Sequence, residues 1–300
     1  MQQTGVLQLT VIGLGLIGGS IAMAAKERYP DIHVHAIDPE SANLQYALKH
    51  GFVDTVGLSI PKNLSSIQQA QTTTGTHLIV IACHLQDSYA VLETLADQLA
   101  ETPDPTVIIT DVGSCKQSIA ALGKKRLPAQ FVAGHPMAGK EFSGIAHATS
   151  LLFAGKSYIF CPHEQTPADV LDLLTQFIKG LGAVPRTLDA VRHDKYMAYV
   201  SHLPQLNAVL IAQLMHQNEP GHLVSYHGAG LDGQMRLAAS PYAMWGDVFL
   251  ENATHVHQML DELQALIETL KLKIKEPDGL KQWFETANIT HEAFQKGRLI

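Results

Sequence analysis

The sequence predicts an α/β fold in two parts: a doubly wound parallel sheet over residues 1–188 and an all-α part over residues 189–300. Three observations carry this. Short apolar, β-branched runs alternate with helix-like stretches through the first half. A glycine-rich turn follows the first of those runs directly. After Leu188 the alternation stops, and long stretches with helical spacing replace it.

The predicted strands are LQLTVIG (Leu7–Gly13), HVHAID (His33–Asp38), HLIVIAC (His77–Cys83) and TVIITDV (Thr106–Val112), with shorter ones at Gln130–Gly134 and Ser157–Cys161. Helical stretches such as Ser88–Ala100 separate them, and near-continuous apolar strands between helices indicate a parallel sheet covered on both faces. One further βα-like pair, Pro167–Leu188, closes this region. Asp189–Met215 then reads as one long helix, which Pro204 kinks by leaving the Val200 carbonyl without its helical partner. Ser240 is a fitting N-cap and Pro241 a fitting first residue for a second long helix, which Pro277 and Gly279 end. Val248, Val256, Met259, Leu263, Leu266, Leu270 and Ile274 fall at helical spacing along it. A helix from Pro241 to Glu276 would span about 54 Å at 1.5 Å per residue, which outruns a small domain and suggests packing against another subunit. The alternative is a helix broken in two near Asn252.

A chain of 300 residues, 46% hydrophobic, can bury a sizeable core. The net charge is −7 without any basic run, so nucleic acid is not an expected partner. Residues 1–25 carry no charged side chain, but they lack a basic start, and Gly13, Gly15, Gly18 and Gly19 crowd their middle. A strand, a tight turn and a buried helix explain the stretch better than a signal or membrane segment does. Cys83, Cys115 and Cys161 are far apart, odd in number and free of metal-ligand spacing, which fits a reducing, cytoplasmic setting. Pairs such as His33/His35 and His255/His257 lack the partners of a metal site, so no metal is expected.

Gly13, Gly15 and Gly18 form G-x-G-x-x-G, placed after a strand and opening a helix, and Asp38 ends the second strand twenty residues beyond Gly18. That context marks a Rossmann-type dinucleotide site. Gly13 lets the chain turn, Gly15 lets the backbone approach a pyrophosphate at the helix N-terminus, and Gly18 lets helix and strand pack closely. Leu16 and Ile17 complete the cofactor loop. Asp38 is expected to accept hydrogen bonds from the adenosine ribose hydroxyls. A phosphate there would be repelled, and the adjoining Pro39-Glu40 supplies no base, so the expected cofactor is NAD rather than NADP.

Ligands of open α/β sheets bind beyond the carboxyl ends of the strands. TDVGSCK (Thr110–Lys116) and AGHPMAGKE (Ala133–Glu141) emerge there, so Ser114 and His135 are expected to face the nicotinamide together. Removing hydride from a carbon that bears a hydroxyl requires a base for the hydroxyl proton, a role that suits a neutral histidine. Ser114 would orient the hydroxyl or the imidazole. The alternative for His135 is a loop histidine bonded to backbone.

The motifs G-x-G-L-I-G-G-S (Gly13–Ser20), D-V-G-S-x-K (Asp111–Lys116), G-H-P-M-A-G-x-E (Gly134–Glu141) and S-H-L-P (Ser201–Pro204) occur in an order, over about residues 10–260, that resembles the prephenate/arogenate dehydrogenase family of tyrosine biosynthesis. That family oxidises its substrate at the ring carbinol and expels the carboxylate as CO₂, and it couples a Rossmann domain to a helical dimerisation domain. The resemblance implies a homodimer and an NAD-dependent oxidoreductase acting on a small molecule. It implies that His135 accepts the proton of the ring hydroxyl with Ser114 beside it, and that Glu141 joins a polar network near the site. It also implies that His193, of the pair His193-Asp194, lies at the substrate site and that Arg236 grips the substrate carboxylate through two parallel hydrogen bonds.

Two positions depart from the family pattern. Gln205 follows S-H-L-P where many prephenate-using members have histidine, so it can donate a hydrogen bond to the substrate side chain but carries no charge. Leu231-Asp232-Gly233 stands where the family has a base before the arginine, which weakens the match at Arg236. The expected function is oxidative decarboxylation of prephenate to 4-hydroxyphenylpyruvate. The alternatives are an arogenate or dual cyclohexadienyl dehydrogenase, a β-hydroxyacid dehydrogenase using Lys195, and a non-catalytic NAD-binding regulator.

Overall fold

The computed structural model describes residues 5–64, 67, 75–140, 142–218 and 220–297. Contacts divide them into two compact units. The first comprises the residues up to Met197 together with Ala239–Glu251, and the second Ala198–Ala238 together with the residues from Asn252 onward.

The first unit is built on one eight-stranded sheet. In chain order its elements are β1 (Val6–Ile12), α1 (Leu16–Arg28), β2 (His33–Ile37), α2 (Ser41–Lys49), β3 (Thr55–Gly57), β4 (Thr76–Ile81) and α3 (Leu85–Glu101). There follow β5 (Val107–Asp111), α4 (Gln117–Arg126), β6 (Phe131–Pro136), β7 (Ser157–Cys161), α5 (Ala168–Gly180), β8 (Val184–Thr187) and α6 (Ala190–Met197). The strand order is β3-β2-β1-β4-β5-β6-β7-β8. The winding reverses between β1 and β4, and the crevice beyond that switch point is where open α/β sheets hold ligands.

Strand periodicity sorts the core into two faces. Leu78 and Val80 of β4 pack with Leu9, Val11, Val34 and Phe177 on one side. Ile79 and Ile81 pack with Ile12, Ile37, Leu92 and Ile119 on the other. Successive residues of one strand are thus buried on opposite faces, each such side chain contributing about 1.5–3 kcal/mol, and the strand reads as an unbroken apolar run.

Two features of the sheet differ from the sequence expectation. β3, only three residues long, carries too little pattern to be read as a strand. β7 runs antiparallel to β6, with His135 opposite Ile159, so the sheet is not wholly parallel. The connection between them holds a short 3₁₀ turn, Ile145–His147, instead of a crossover helix. A chain that does not cross over a sheet face returns antiparallel.

The predicted helix over Asp189–Met215 is present as α6, a π-helical turn at Ala198–His202, and α7 (Leu203–Gln217). Pro204 has no N–H to offer Val200, and a π turn shifts the carbonyl pairing to take up that loss. Beyond it lie α8 (Pro220–Leu223), α9 (Ala229–Ala238), α10 (Tyr242–Glu251), α11 (Ala253–Lys273) and α12 (Pro277–Gly297). The continuous helix over Pro241–Glu276 is not formed. It breaks at Asn252, whose φ and ψ of −98° and 21° are not helical. The Asn252 side chain is buried and lies 3.2 Å from the His202 ring. α11 ends at Lys273, short of Pro277 as expected, and Pro277 is itself the first residue of a further 21-residue helix, α12.

α10 belongs to the first unit, where Tyr89 donates to Glu251 at 2.8 Å and Val248 packs against Leu85 and Cys115. In the second unit, Tyr199 donates to Glu262 at 2.8 Å. Leu266, Leu270 and Ile274 form an exposed stripe at four-residue spacing, and Phe284, Ile289 and Phe294 are exposed on α12. Apolar helix faces of this kind mark contact surfaces.

A polar row runs across the otherwise apolar second face. His77 lies 2.8 Å from Thr10, and its Nδ1 has no hydrogen-bond partner among the described residues. Burial pushes its pKa down to about 4. The unfolded histidine titrates near 6.5, so the folded state disfavours the proton. The contribution of His77 to stability is therefore complete above about pH 6.5 and is lost as the pH falls towards 4. Denaturant titrations from pH 7 to pH 4.5 should show a loss on the order of 2 kcal/mol attributable to this site. The slope should flatten in His77→Gln, and an unchanged slope would refute the assignment.

Candidate active site

The first half of the site is the turn between β1 and α1. Gly13 has φ +98°, and a Cβ there would lie 2.6 Å from the Ala82 carbonyl oxygen. A Cβ on Gly18 would strike the Gly13 carbonyl oxygen at 1.9 Å, so that glycine lets α1 sit on its strand. Gly15 is different: a Cβ there meets nothing within 4 Å. The space over Gly15 opens at the N-terminus of α1, which has no side-chain cap. Uncapped N–H groups under bare backbone suit the pyrophosphate of a dinucleotide.

Asp38 lies one residue beyond β2 and is buried. Its Oδ2 accepts from the Leu14 N–H at 2.7 Å. Its Oδ1 accepts from the Glu40 N–H at 2.8 Å and from the Asn43 amide at 3.2 Å. The structure therefore brings Gly13, Gly15, Leu16, Ile17, Gly18 and Asp38 together. It also adds a duty for the acid: the carboxylate holds the glycine loop in shape.

The second half lies at the carboxyl ends of β5 and β6. His135 is in β6 and 8% exposed, and Ser114 is half-buried between β5 and α4. His135 Nδ1 is 2.9 Å from His193 Nε2, and His193 Nδ1 is 2.8 Å from Asp194 Oδ1. His193 is fully buried. Both of its ring nitrogens are engaged, so it stands behind His135 and presents no nitrogen of its own to a substrate. Asp194 Oδ1 and Oδ2 also accept from the Lys116 and Gln117 N–H groups, each at 2.8 Å. Burial pushes the Asp194 pKa up, but the bonds from His193, Gln117 and Lys116 outweigh it and hold the carboxyl below its ordinary value.

Beneath these groups lies a fully buried ion pair, Lys116 with Asp111. Lys116 Nζ also donates to the Gly134 carbonyl at 2.8 Å, and Asp111 accepts from the N–H groups of Gly134 at 3.0 Å and Gly113 at 2.9 Å. The pair grips the residue preceding His135 by both its N–H and its C=O. Asp111, Lys116 and Asp194 are buried polar residues around His135 that site prediction from sequence missed. An acid and a lysine five residues apart at the end of an apolar strand were the available signal.

Arg236 and Gln205 belong to the second unit. Gln205 is buried on α7 and donates to the Leu237 carbonyl at 3.0 Å, one residue from Arg236 on α9. Its amide thereby fixes the backbone that carries the arginine. Glu141 lies outside the described residues. Cys115 is buried, and burial pushes its thiol pKa up, which leaves it inert. Among the described residues no group of histidine, cysteine and carboxylate side chains could hold a metal ion. No helix among the described residues is long and apolar enough to cross a membrane.

Comparison with known proteins gives concordant results. The family profile for the prephenate dehydrogenase nucleotide-binding domain matches residues 21–186, and that for the prephenate dehydrogenase dimerization domain matches residues 189–286. A prephenate dehydrogenase of Bacillus subtilis is 32% identical over 93% of this chain and 74% of its own length. A cyclohexadienyl dehydrogenase of Zymomonas mobilis is 28% identical over 90% of this chain and 89% of its own. The solved prephenate dehydrogenase from A. aeolicus, in complex with hydroxyphenyl propionate and NAD+, superposes with a TM-score of 0.82 at 24% identity, covering 98% of this chain and 99% of that one. Synechocystis arogenate dehydrogenase gives a TM-score of 0.76 at 23% identity, covering 98% and 100%. These two similarities are of fold.

The glycine geometry separates two substitutions. Gly15→Ala should leave the thermal melting temperature unchanged and weaken dinucleotide binding on the order of tenfold, about 1.4 kcal/mol. Gly18→Ala should lower the melting temperature through the clash with Gly13. Equal behaviour of the two variants in melting and titration experiments would contradict the division of roles.

Proposed function

The chain belongs to the prephenate dehydrogenase family, and from that premise we propose that it is an NAD-dependent prephenate dehydrogenase, forming 4-hydroxyphenylpyruvate and CO₂. The observation that carries the reading is His135, placed at the carboxyl end of β6 with its imidazole backed by His193. The relative from Bacillus subtilis, named for the same activity, supports it.

NAD would lie over Gly15 at the N-terminus of α1, with its adenosine ribose near Asp38. It supplies the hydride acceptor. The residues of this chain do the rest. His135 takes the proton of the ring hydroxyl as the C–H bond at the same carbon breaks, and Ser114 orients that hydroxyl. The carbinol becomes a ring ketone. The bond to the ring carboxylate then breaks, CO₂ leaves, the released electron pair completes the aromatic ring, and the proton held by His135 returns to the ring oxygen. Arg236, held near the Gln205–Leu237 contact, is the proposed clamp for a substrate carboxylate. Glu141 is the proposed polar neighbour of the site.

Residues 189–300 serve in this reading as the substrate and dimerisation domain, and residues 1–188 as the dinucleotide domain. The exposed apolar stripes of α11 and α12 are the proposed homodimer contact. The three unpaired cysteines fit a cytoplasmic enzyme.

Assaying the purified protein with prephenate and with arogenate, each with NAD and with NADP, tests the reading. Prephenate with NAD should give the highest kcat/KM, and preference for arogenate or NADP would overturn the corresponding assignment. His135→Asn should cut turnover by roughly a hundredfold or more while NAD affinity, measured by fluorescence titration, stays unchanged. Near-normal turnover would remove His135 from its role.

A further inference from the structure

We infer that His193 and Asp194 set the tautomer of His135, so that Nε2 of His135 is the nitrogen that takes the substrate's proton. This rests on the reading of His135 as proton acceptor and adds two positioning residues to it.

Asp194 holds two backbone N–H groups, those of Lys116 and Gln117, one on each oxygen at 2.8 Å. Both partners can only donate, and together with His193 they hold the carboxyl below its ordinary pKa, so it is ionised and accepts. His193 Nδ1, 2.8 Å from Oδ1, must then carry hydrogen. A neutral imidazole carries one such hydrogen, which leaves the lone pair of His193 on Nε2. That atom lies 2.9 Å from His135 Nδ1, so His135 donates from Nδ1. By the same rule the lone pair of His135 is on Nε2. The reverse order requires a protonated His193 and puts hydrogen on His135 Nε2, the form that cannot act as a base.

All three side chains are nearly shut off from water: His135 is 8% exposed, His193 0% and Asp194 3%. The ordering is therefore fixed by these partners and not by exchange with solvent. When the substrate proton arrives, the imidazolium that forms is balanced, one ring away, by the ionised carboxylate. The same carboxylate accepts the N–H groups at the start of α4, two and three residues beyond Ser114, so one group anchors both the imidazole and the serine loop.

Nitrogen-15 NMR of the histidine-labelled protein reads the tautomers directly. His135 should show a protonated Nδ1 and a bare Nε2, as should His193. His193→Phe removes the acceptor for the Nδ1 hydrogen, so the bare nitrogen should move to Nδ1. In that variant kcat should fall by roughly a hundredfold, with KM for prephenate within about twofold. His193→Gln places an amide oxygen where Nε2 stood and should restore turnover to within roughly tenfold of the parent. NAD affinity equal to the parent's shows that each variant is folded. Hydrogen on Nε2 of His135 in the parent protein overturns the proposal, as does a His193→Phe enzyme with parental turnover or a His193→Gln enzyme no better than it. Should His193→Phe fail to fold, the parent spectrum decides alone. A parent protein that does not oxidise prephenate refutes the function instead, and the spectrum is read independently of that result.

Discussion

The Lys116–Asp111 pair is the constraint around which the carboxyl ends of β5 and β6 are arranged. Both side chains are fully buried. Leaving either without the other in such a place costs about 3–5 kcal/mol, whereas replacing both with apolar groups is often neutral. The pair thus contributes placement more than net stability. It joins β5 to β6 through the Gly134 N–H and C=O, and a Cβ at Gly134 would lie 2.8 Å from the Asp111 carbonyl oxygen. The next residue is His135. Its position follows from an ion pair shut off from solvent.

The two halves of the site are built on different physical scales. The cofactor loop is local: a strand end, three glycines and an uncapped helix start lie within a few residues of one another. The half around His135 is long-range, its bonds linking residues 58 and 78 apart in the chain. Local backbone geometry favours a charged ligand in the first half. In the second, burial makes each hydrogen bond directional and leaves little freedom in how the rings are protonated.

That difference explains what the sequence disclosed. The glycine spacing, Asp38 and the apolar strands were legible because each is a pattern within one element. The fold followed from them, with the strands of the first half in the expected places. The three-residue β3 and the antiparallel return of β7 were not legible, since one is too short to show a period and the other depends on the absence of a crossover helix. Asn252 was readable only as a possible break, because helical spacing runs through it and the decision lies with its buried contact to His202. His193 was placed at the substrate by resemblance. Only the three-dimensional contact with His135 shows it standing one layer back. Glu141 lies among the residues that the structure leaves undescribed.

Asp38 has a consequence for redesign. Selectivity between the two nicotinamide dinucleotides is commonly altered by replacing the acid at the end of the second strand with a small or basic residue, on the view that it touches only the ribose. Here its Oδ2 also receives the Leu14 N–H, and its Oδ1 holds the first turn after β2. Removing the carboxylate would orphan a buried donor in the phosphate-binding turn itself. A switched enzyme built on this scaffold must therefore supply a new acceptor for Leu14 before it can gain affinity for the phosphorylated cofactor.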